Sequence, residues 1–222
     1  MEMIDVRQRA LNRQPNYGLV MGMTDPFVLD MAYHAGFHFV RIDCEHAFYD
    51  NATLRVLFDM ARNIGIAAQT RVPNLDYIDA LLTLEPAGIC IPDVDSVEKA
   101  REAIEKIKFP PIGKRGRSVT RRIRLGEYTR NEFAEQGNSR LNLIIQIESR
   151  EAIDHIDEIL SLDGIDMVAS GRSDLAESLG CPGDRDNPIV MEAEDYIIAK
   201  ALEHHKLLTL SVSKKERLQE LY

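Results

Sequence analysis

Polar residues of catalytic type recur in this sequence at the ends of apolar runs. The segment RIDCEHAFYD brings Asp43, Glu45 and His46 together. An imidazole beside a carboxylate such as Asp43 is a general acid–base arrangement, because the carboxylate sets the ring tautomer and raises its basicity near neutral pH. QIES and ASGRSDLAESLG place Glu148 and Asp174 at two further run ends. Two such carboxylates form an oxygen-rich site for a hard divalent ion that keeps several waters. Arg71, in QTRVPN, offers a planar guanidinium suited to a carboxylate or an enolate oxygen. The stretch Gly171-Arg172-Ser173 can present successive backbone N–H groups to an anion.

Each residue also has a plain structural reading. Glu148 can pair with an arginine, and Asp174 can cap the helix DLAESLG. His46 can bond within its loop, and Arg71 can form an ion pair across the mouth of the fold. His34, His38, His155, His204 and His205 fall in or beside helical or strand segments and receive no role. The basic run GKRGRSVTRRIR, residues 113–124, reads either as a solvated face or as an anion-attracting loop on an enzyme rim. Nucleic acid is disfavoured, because 27 Lys and Arg stand against 36 Asp and Glu, a net charge of −9, and aromatics do not flank the run.

These groups need elements to position them. Apolar runs at 18–23, 37–43, 66–72, 87–92, 141–148, 165–170 and 207–212 predict seven strands. Stretches of helical period at 25–35, 51–64, 75–84, 96–107, 150–162, 189–205 and 213–221 predict the helices between them, with Gly36, Gly65 and Asp95 or Ser96 as end signals. The alternation predicts βαβ units and a parallel sheet covered by helices. Residues 1–222 are expected to form one domain, and both a barrel and an open doubly wound sheet share this local pattern. An eight-fold barrel commonly takes about 250 residues, so one βα unit is expected to be missing. No run reaches 18 apolar residues, and MEMIDVRQRALNRQ lacks the apolar stretch of a secretory signal. A cytoplasmic protein without a membrane or nucleic-acid partner is expected, with Cys44, Cys90 and Cys181 as reduced thiols.

The ordered set RIDCEHAFYD, TRVPN, FPPIGKRGRS, IIQIESREAIDHIDEI and GIDMVASGRSDLAESLG resembles the HpcH/HpaI aldolase family over about residues 18–212. The resemblance implies an α/β fold of the (β/α)8 TIM-barrel type and a magnesium, manganese or cobalt ion held by Glu148 and Asp174. It further implies a class II carbon–carbon lyase acting on a 2-oxoacid such as pyruvate or oxaloacetate. Arg71 matches the residue that supports charge on the keto oxygen, His46 with Asp43 the acid–base dyad, and Gln146, Gly171, Arg172 and Ser173 the substrate surround. Homo-oligomers, hexameric or trimer-based, are implied as well. Arg172 stands where Pro is common in the family, which places an extra cation beside the oxoacid and favours a dicarboxylate. Relatives include siderophore-pathway citrate synthases, so condensation of acetyl-CoA with oxaloacetate is an alternative activity. A non-catalytic barrel with a binding or regulatory role is the alternative of another class.

Overall fold

The structure is a computed structural model that describes residues 3–118 and 120–212. Helix α1 (Val6–Leu11) precedes strand β1 (Gly18–Met21), α2 (Phe27–His34), β2 (Phe39–Asp43), α3 (Asn51–Ile64) and β3 (Ala67–Arg71). A 3-10 turn (Leu75–Tyr77) leads into α4 (Ile78–Leu82), followed by β4 (Gly88–Ile91), α5 (Val97–Ile107), α6 (Arg121–Arg124) and α7 (Arg130–Arg140). Then come β5 (Asn142–Ile147), α8 (Arg150–Asp154), α9 (Ile156–Leu160), β6 (Met167–Ser170), α10 (Arg172–Ser178), α11 (Pro188–Glu203) and β7 (Leu207–Thr209). All seven expected strands form, and the expected helix over 213–221 lies outside the described residues.

Local chemistry accounts for the element ends. The Asp50 carboxylate accepts the Thr53 N–H and opens α3, while Gly65 closes it at φ 87°, a left-handed conformation that a side chain would strain. Ser96 caps α5 by accepting from the Lys99 N–H. The helix expected over 150–162 is broken at His155 into α8 and α9, though Ile156, Ile159 and Leu160 still face the core. Helices α1, α6 and α7 were not expected. The last of these opens on a capping box, Thr129 with Glu132, which the sequence TRNE displays.

The strands are parallel and lie in the order β1-β2-β3-β4-β5-β6-β7. In a flat sheet, strands five places apart would stand about 24 Å from one another. Yet the Arg41 guanidinium of β2 donates to Thr209 Oγ1 of β7 at 3.0 Å. The sheet is therefore curled, so that β7 returns toward β2 in barrel fashion. Among the described residues it has seven strands and not the eight of a complete barrel, and β1 and β7 share no ladder.

Pleating divides the side chains between two regions. Outward residues such as Val40, Ile42, Ile89, Ile91, Leu143, Ile145, Ile147 and Val168 pack under the helices in the main apolar core. Inward residues Ala67, Cys90, Ile144, Met167 and Ala169 form a smaller cluster inside the curl, closed from below by Val6 of α1. Above this floor the interior turns polar with Arg41, Gln69 and Gln146.

At the amino-terminal ends of the strands, the ammonium of Lys108, 1% exposed, meets the carboxylate of Asp166. It also donates to the carbonyls of Asn138 and Leu141, while Asp166 accepts from the Leu143 N–H and pairs with Arg7 at 2.8 Å. Burial lowers the pKa of Lys108, and Asp166 opposes that shift. Lys108→Met leaves the buried Asp166 with the part-exposed Arg7 as its remaining cation among the described residues, and is expected to cost about 3 kcal/mol, read from urea unfolding. Arg7→Ala, which removes the more exposed partner, is expected to cost less in the same assay.

Candidate active site

The carboxyl ends of β2, β3, β5 and β6 place Asp43, Arg71, Gln146 and Gly171 at inward-facing positions, and Glu148 follows β5 by one residue. The β2–β3 register sets Asp43 opposite Arg71 and Arg41 opposite Gln69 one pleat deeper. A cleft of about 260 Å³ opens here, and Arg41, His46, Arg71, Gln146, Gly171, Arg172, Ser173 and Asp174 line it. The candidate residues, separated by up to 131 positions in the chain, thus meet at one end of the curled sheet.

Arg71 is held by two carboxylates. Its Nε and Nη2 donate to the two oxygens of Asp43 at 3.0 and 2.6 Å, and its Nη1 lies 3.0 Å from Glu45 Oε2. Two of the five guanidinium N–H groups are thereby hydrogen-bonded and Glu45 adds an ion pair, which fixes the plane and leaves the Nη1 face toward a ligand. Burial raises the Asp43 pKa, but the Arg71 hydrogen bond and charge outweigh it and keep the group below its ordinary value. For Glu45 burial prevails over Arg71, and its pKa rises.

The expected His46–Asp43 dyad takes a different form. Asp43 is occupied by Arg71, and the His46 ring, 64% exposed, lies 3.6 Å from Glu45 Oε2. Glu45, which was not expected to carry a role of its own, bridges imidazole and guanidinium. The reason is spatial: Asp43 ends a strand paired with β3 and points inward at Arg71, whereas Glu45 and His46 lie in the turn above.

Glu148 is 5% exposed, and no lysine or arginine among the described residues lies within 4 Å of it or of Asp174. It accepts from the Asp93 N–H at 2.6 Å and from the Gln146 amide. Its pKa is pushed up to about 7, first by burial, with Asp174 and Glu45 adding to the rise against those two hydrogen bonds. Among the described residues no arginine makes the ion pair that would have left Glu148 merely structural. A buried carboxylate facing a second one, without a protein cation, suits a hard divalent ion. Among the described residues no group of three or more His, Cys, Asp or Glu is arranged to hold a metal ion by protein ligands alone.

The extra cation expected from Arg172 is already neutralised. Its guanidinium lies 3.5 Å from Glu194 and 3.3 Å from Asp186, because α11 brings a buried acid against α10. Ser170 donates to the same Glu194 at 2.6 Å. The basic run is likewise not on this rim. Arg115, Arg121 and Arg122 surround a cavity of about 560 Å³ at the opposite end, beside Val6, Ala87 and Asn142. Arg115 stacks 4.5 Å from the centre of the Phe109 ring and Arg122 pairs with Glu127 at 2.7 Å, so packing within their own segment holds them there.

This curled parallel sheet, with its acids and guanidinium gathered at the carboxyl ends of the strands, has the layout of a barrel enzyme. The family model described as HpcH/HpaI aldolase/citrate lyase matches residues 16–220. The chain is 34% identical over 201 residues to a 2-keto-3-deoxy-L-rhamnonate aldolase of Klebsiella pneumoniae, covering 87% of this chain and 73% of that one. It is 31% identical over 196 residues to a 5-keto-4-deoxy-D-glucarate aldolase of Shigella boydii, with 87% and 76% covered. Among solved structures it matches an HpcH/HpaI aldolase from Desulfitobacterium hafniense with a TM-score of 0.90 at 25% identity, covering 98% of this chain and 86% of that one. The citrate synthase SbnG matches with a TM-score of 0.88 at 26% identity, with 99% and 86% covered. The chain belongs to the HpcH/HpaI aldolase/citrate lyase family and is an enzyme of the carbon–carbon lyase class, which sets aside the non-catalytic alternative.

Two outcomes follow from the Glu148 environment. A Cβ on Gly171 would sit 2.0 Å from Glu148 Oε2 and 2.6 Å from Gln146 Nε2, so Gly171→Ala is expected to displace the carboxylate and weaken Mn²⁺ binding at least tenfold by titration calorimetry. Because the folded-state pKa of Glu148 lies above the unfolded one, the stability it contributes is full below about pH 4.5 and is lost as pH rises through about 7. In chelator, Glu148→Gln is therefore expected to gain melting temperature relative to wild type at pH 8 and to lose that advantage at pH 5, measured by thermal unfolding.

Proposed function

We propose that the protein is a divalent-cation-dependent aldolase-type lyase or synthase acting on pyruvate or oxaloacetate through an enolate. The observation that carries this reading is the pair Glu148 and Asp174, free of any lysine or arginine partner among the described residues, beside an arginine clamped by Asp43 and Glu45. Glu148 and Asp174 would hold Mg²⁺, Mn²⁺ or Co²⁺, which when bound supplies Lewis-acid charge at the oxygens of a 2-oxoacid. Arg71 directs its remaining N–H groups toward the keto oxygen, where negative charge grows as the enolate forms. Asp43 acts as a positioning residue for Arg71. His46, with Glu45 beside it, moves the proton. The Gln146 amide and the backbone of Gly171, Arg172 and Ser173 surround the substrate. The reading takes the curled sheet to be of the (β/α)8 barrel type and the working form to be a cytoplasmic homo-oligomer.

The keto-acid aldolases named above support this reading. The likeness to SbnG favours a second one, in which an acetyl thioester condenses with oxaloacetate on the same site. Exchange of the pyruvate methyl protons in deuterated water tests the first without knowledge of the acceptor. Exchange is expected with Mn²⁺ and not with chelator, and full exchange in chelator would refute the reading. Glu148→Ala or Asp174→Ala is expected to abolish it, and Arg71→Ala to slow it by about 10² to 10³. Thiol release from acetyl-CoA with oxaloacetate, absent pyruvate exchange, would decide for the synthase.

A further inference from the structure

Among the described residues, Arg41 at the floor of the cleft carries a charge that no acid of the fold neutralises. It lies on β2 one pleat, about 7 Å along the strand, below Asp43, and it is 9% exposed. A guanidinium stays protonated in any protein setting, and a buried cation is ordinarily matched by an acid. Here the partners are neutral. Nε and Nη2 donate to Gln69 Oε1 at 3.3 and 3.0 Å, and Nη2 also donates to Thr209 Oγ1 at 3.0 Å. The Phe39 ring lies 5.9 Å from the guanidinium carbon.

Among the described residues no carboxylate comes within 4 Å of Arg41, and its Nη1 makes no hydrogen bond. The neighbouring acceptors are taken: Gln69 Oε1 by Arg41 itself and Gln146 Oε1 by the Cys90 thiol at 3.6 Å. The nearby acids are committed too, Asp43 and Glu45 to Arg71 and Glu148 to the Asp93 N–H and Gln146. Arg172, the other buried guanidinium of the cleft, has Glu194 and Asp186. Gln69 and Thr209 thus hold Arg41 in one orientation with two N–H groups left over, and the residue lines the cleft. That is a preorganised carboxylate receptor.

We propose that Arg41 is a specificity-determining anion subsite, which takes the second carboxylate of a 2-oxo dicarboxylic acid whose oxoacid end is held at Glu148 and Asp174. The subsite rests on the metal-site reading above. Arg41 lies one pleat deeper than Asp43 and Arg71, so the group assigned to it is the one carried by the oxoacid itself. Selection works by charge: a dicarboxylate pairs with Nη1, whereas an acid ending in a methyl group leaves that guanidinium face desolvated and unpaired.

Malate and 2-hydroxybutyrate, unreactive acids that differ by carboxylate against methyl, test this in calorimetric titrations of the Mn²⁺-loaded protein. Wild type is expected to bind malate at least tenfold tighter. Arg41→Gln is expected to weaken malate about 10- to 100-fold, the effect of losing a charge-assisted bond, and 2-hydroxybutyrate less than threefold. Arg41→Lys is expected to fall between. Equal weakening of both acids, or of neither, overturns the subsite and leaves the metal site standing. Binding of neither acid by wild type overturns the metal-site reading and the subsite with it. Should circular dichroism show Arg41→Gln unfolded, Thr209→Val removes one orienting bond, and a malate-selective loss of severalfold is expected. No selective loss in that variant overturns the proposal.

Discussion

The two-residue alternation of parallel strands is the constraint on which this molecule depends. A strand in a curled, helix-covered sheet must give one set of side chains to the helices and the other to the interior. On β2 this sends Val40 and Ile42 outward and Phe39, Arg41 and Asp43 inward. The same rule on β3 and β5 points Gln69, Arg71 and Gln146 into one space. A shift of one residue in any of these strands would exchange polar site and apolar core. Burial of the outward face thus secures the register that assembles the site.

Within that space, charge is distributed unevenly. Arg71 is satisfied by Asp43 and Glu45, a rigid ion-pair network. Glu148 is deliberately short of positive charge and kept in place by neutral donors, the Asp93 N–H and the Gln146 amide. Gly171 completes this arrangement by its lack of a side chain, because any Cβ would occupy the place of Glu148 Oε2. Carboxylates held without a counter-ion cost stability in the empty protein and provide affinity for a cation. The opposite end of the fold shows the reverse balance. There Lys108 and Asp166 are mutually satisfied and tie α5 to the segment before β6. Stability is concentrated at the amino-terminal end and electrostatic tension at the carboxyl end, as barrel enzymes require.

Much of this was legible in the residues. Strand order and most helices followed from hydrophobic period, and the end of α3 from Gly65. The clustering of Asp43, Glu45, Arg71, Gln146, Glu148 and Asp174 followed from their places at run ends. Less legible were the partners. The Asp43 carboxylate is taken up by Arg71 while the His46 ring lies against Glu45, and Arg172 is engaged by Glu194, 22 positions away on another helix. The basic run pointed by composition to the catalytic rim and instead packs against Phe109, Tyr128 and Phe133 at the far end.

The sequence by itself determined the kinds of element, their order and the chemical types available at each strand end, because these depend on periodicity and on caps reached within a few residues. Only the tertiary structure decided which charges neutralise one another. Ion pairing depends on distances of 3 to 4 Å between groups from different strands, and no local pattern encodes those. Thus Arg71 and Arg172 found acids, while Glu148 and, lining the cleft, Asp174 and Arg41 were left without a protein counter-ion among the described residues.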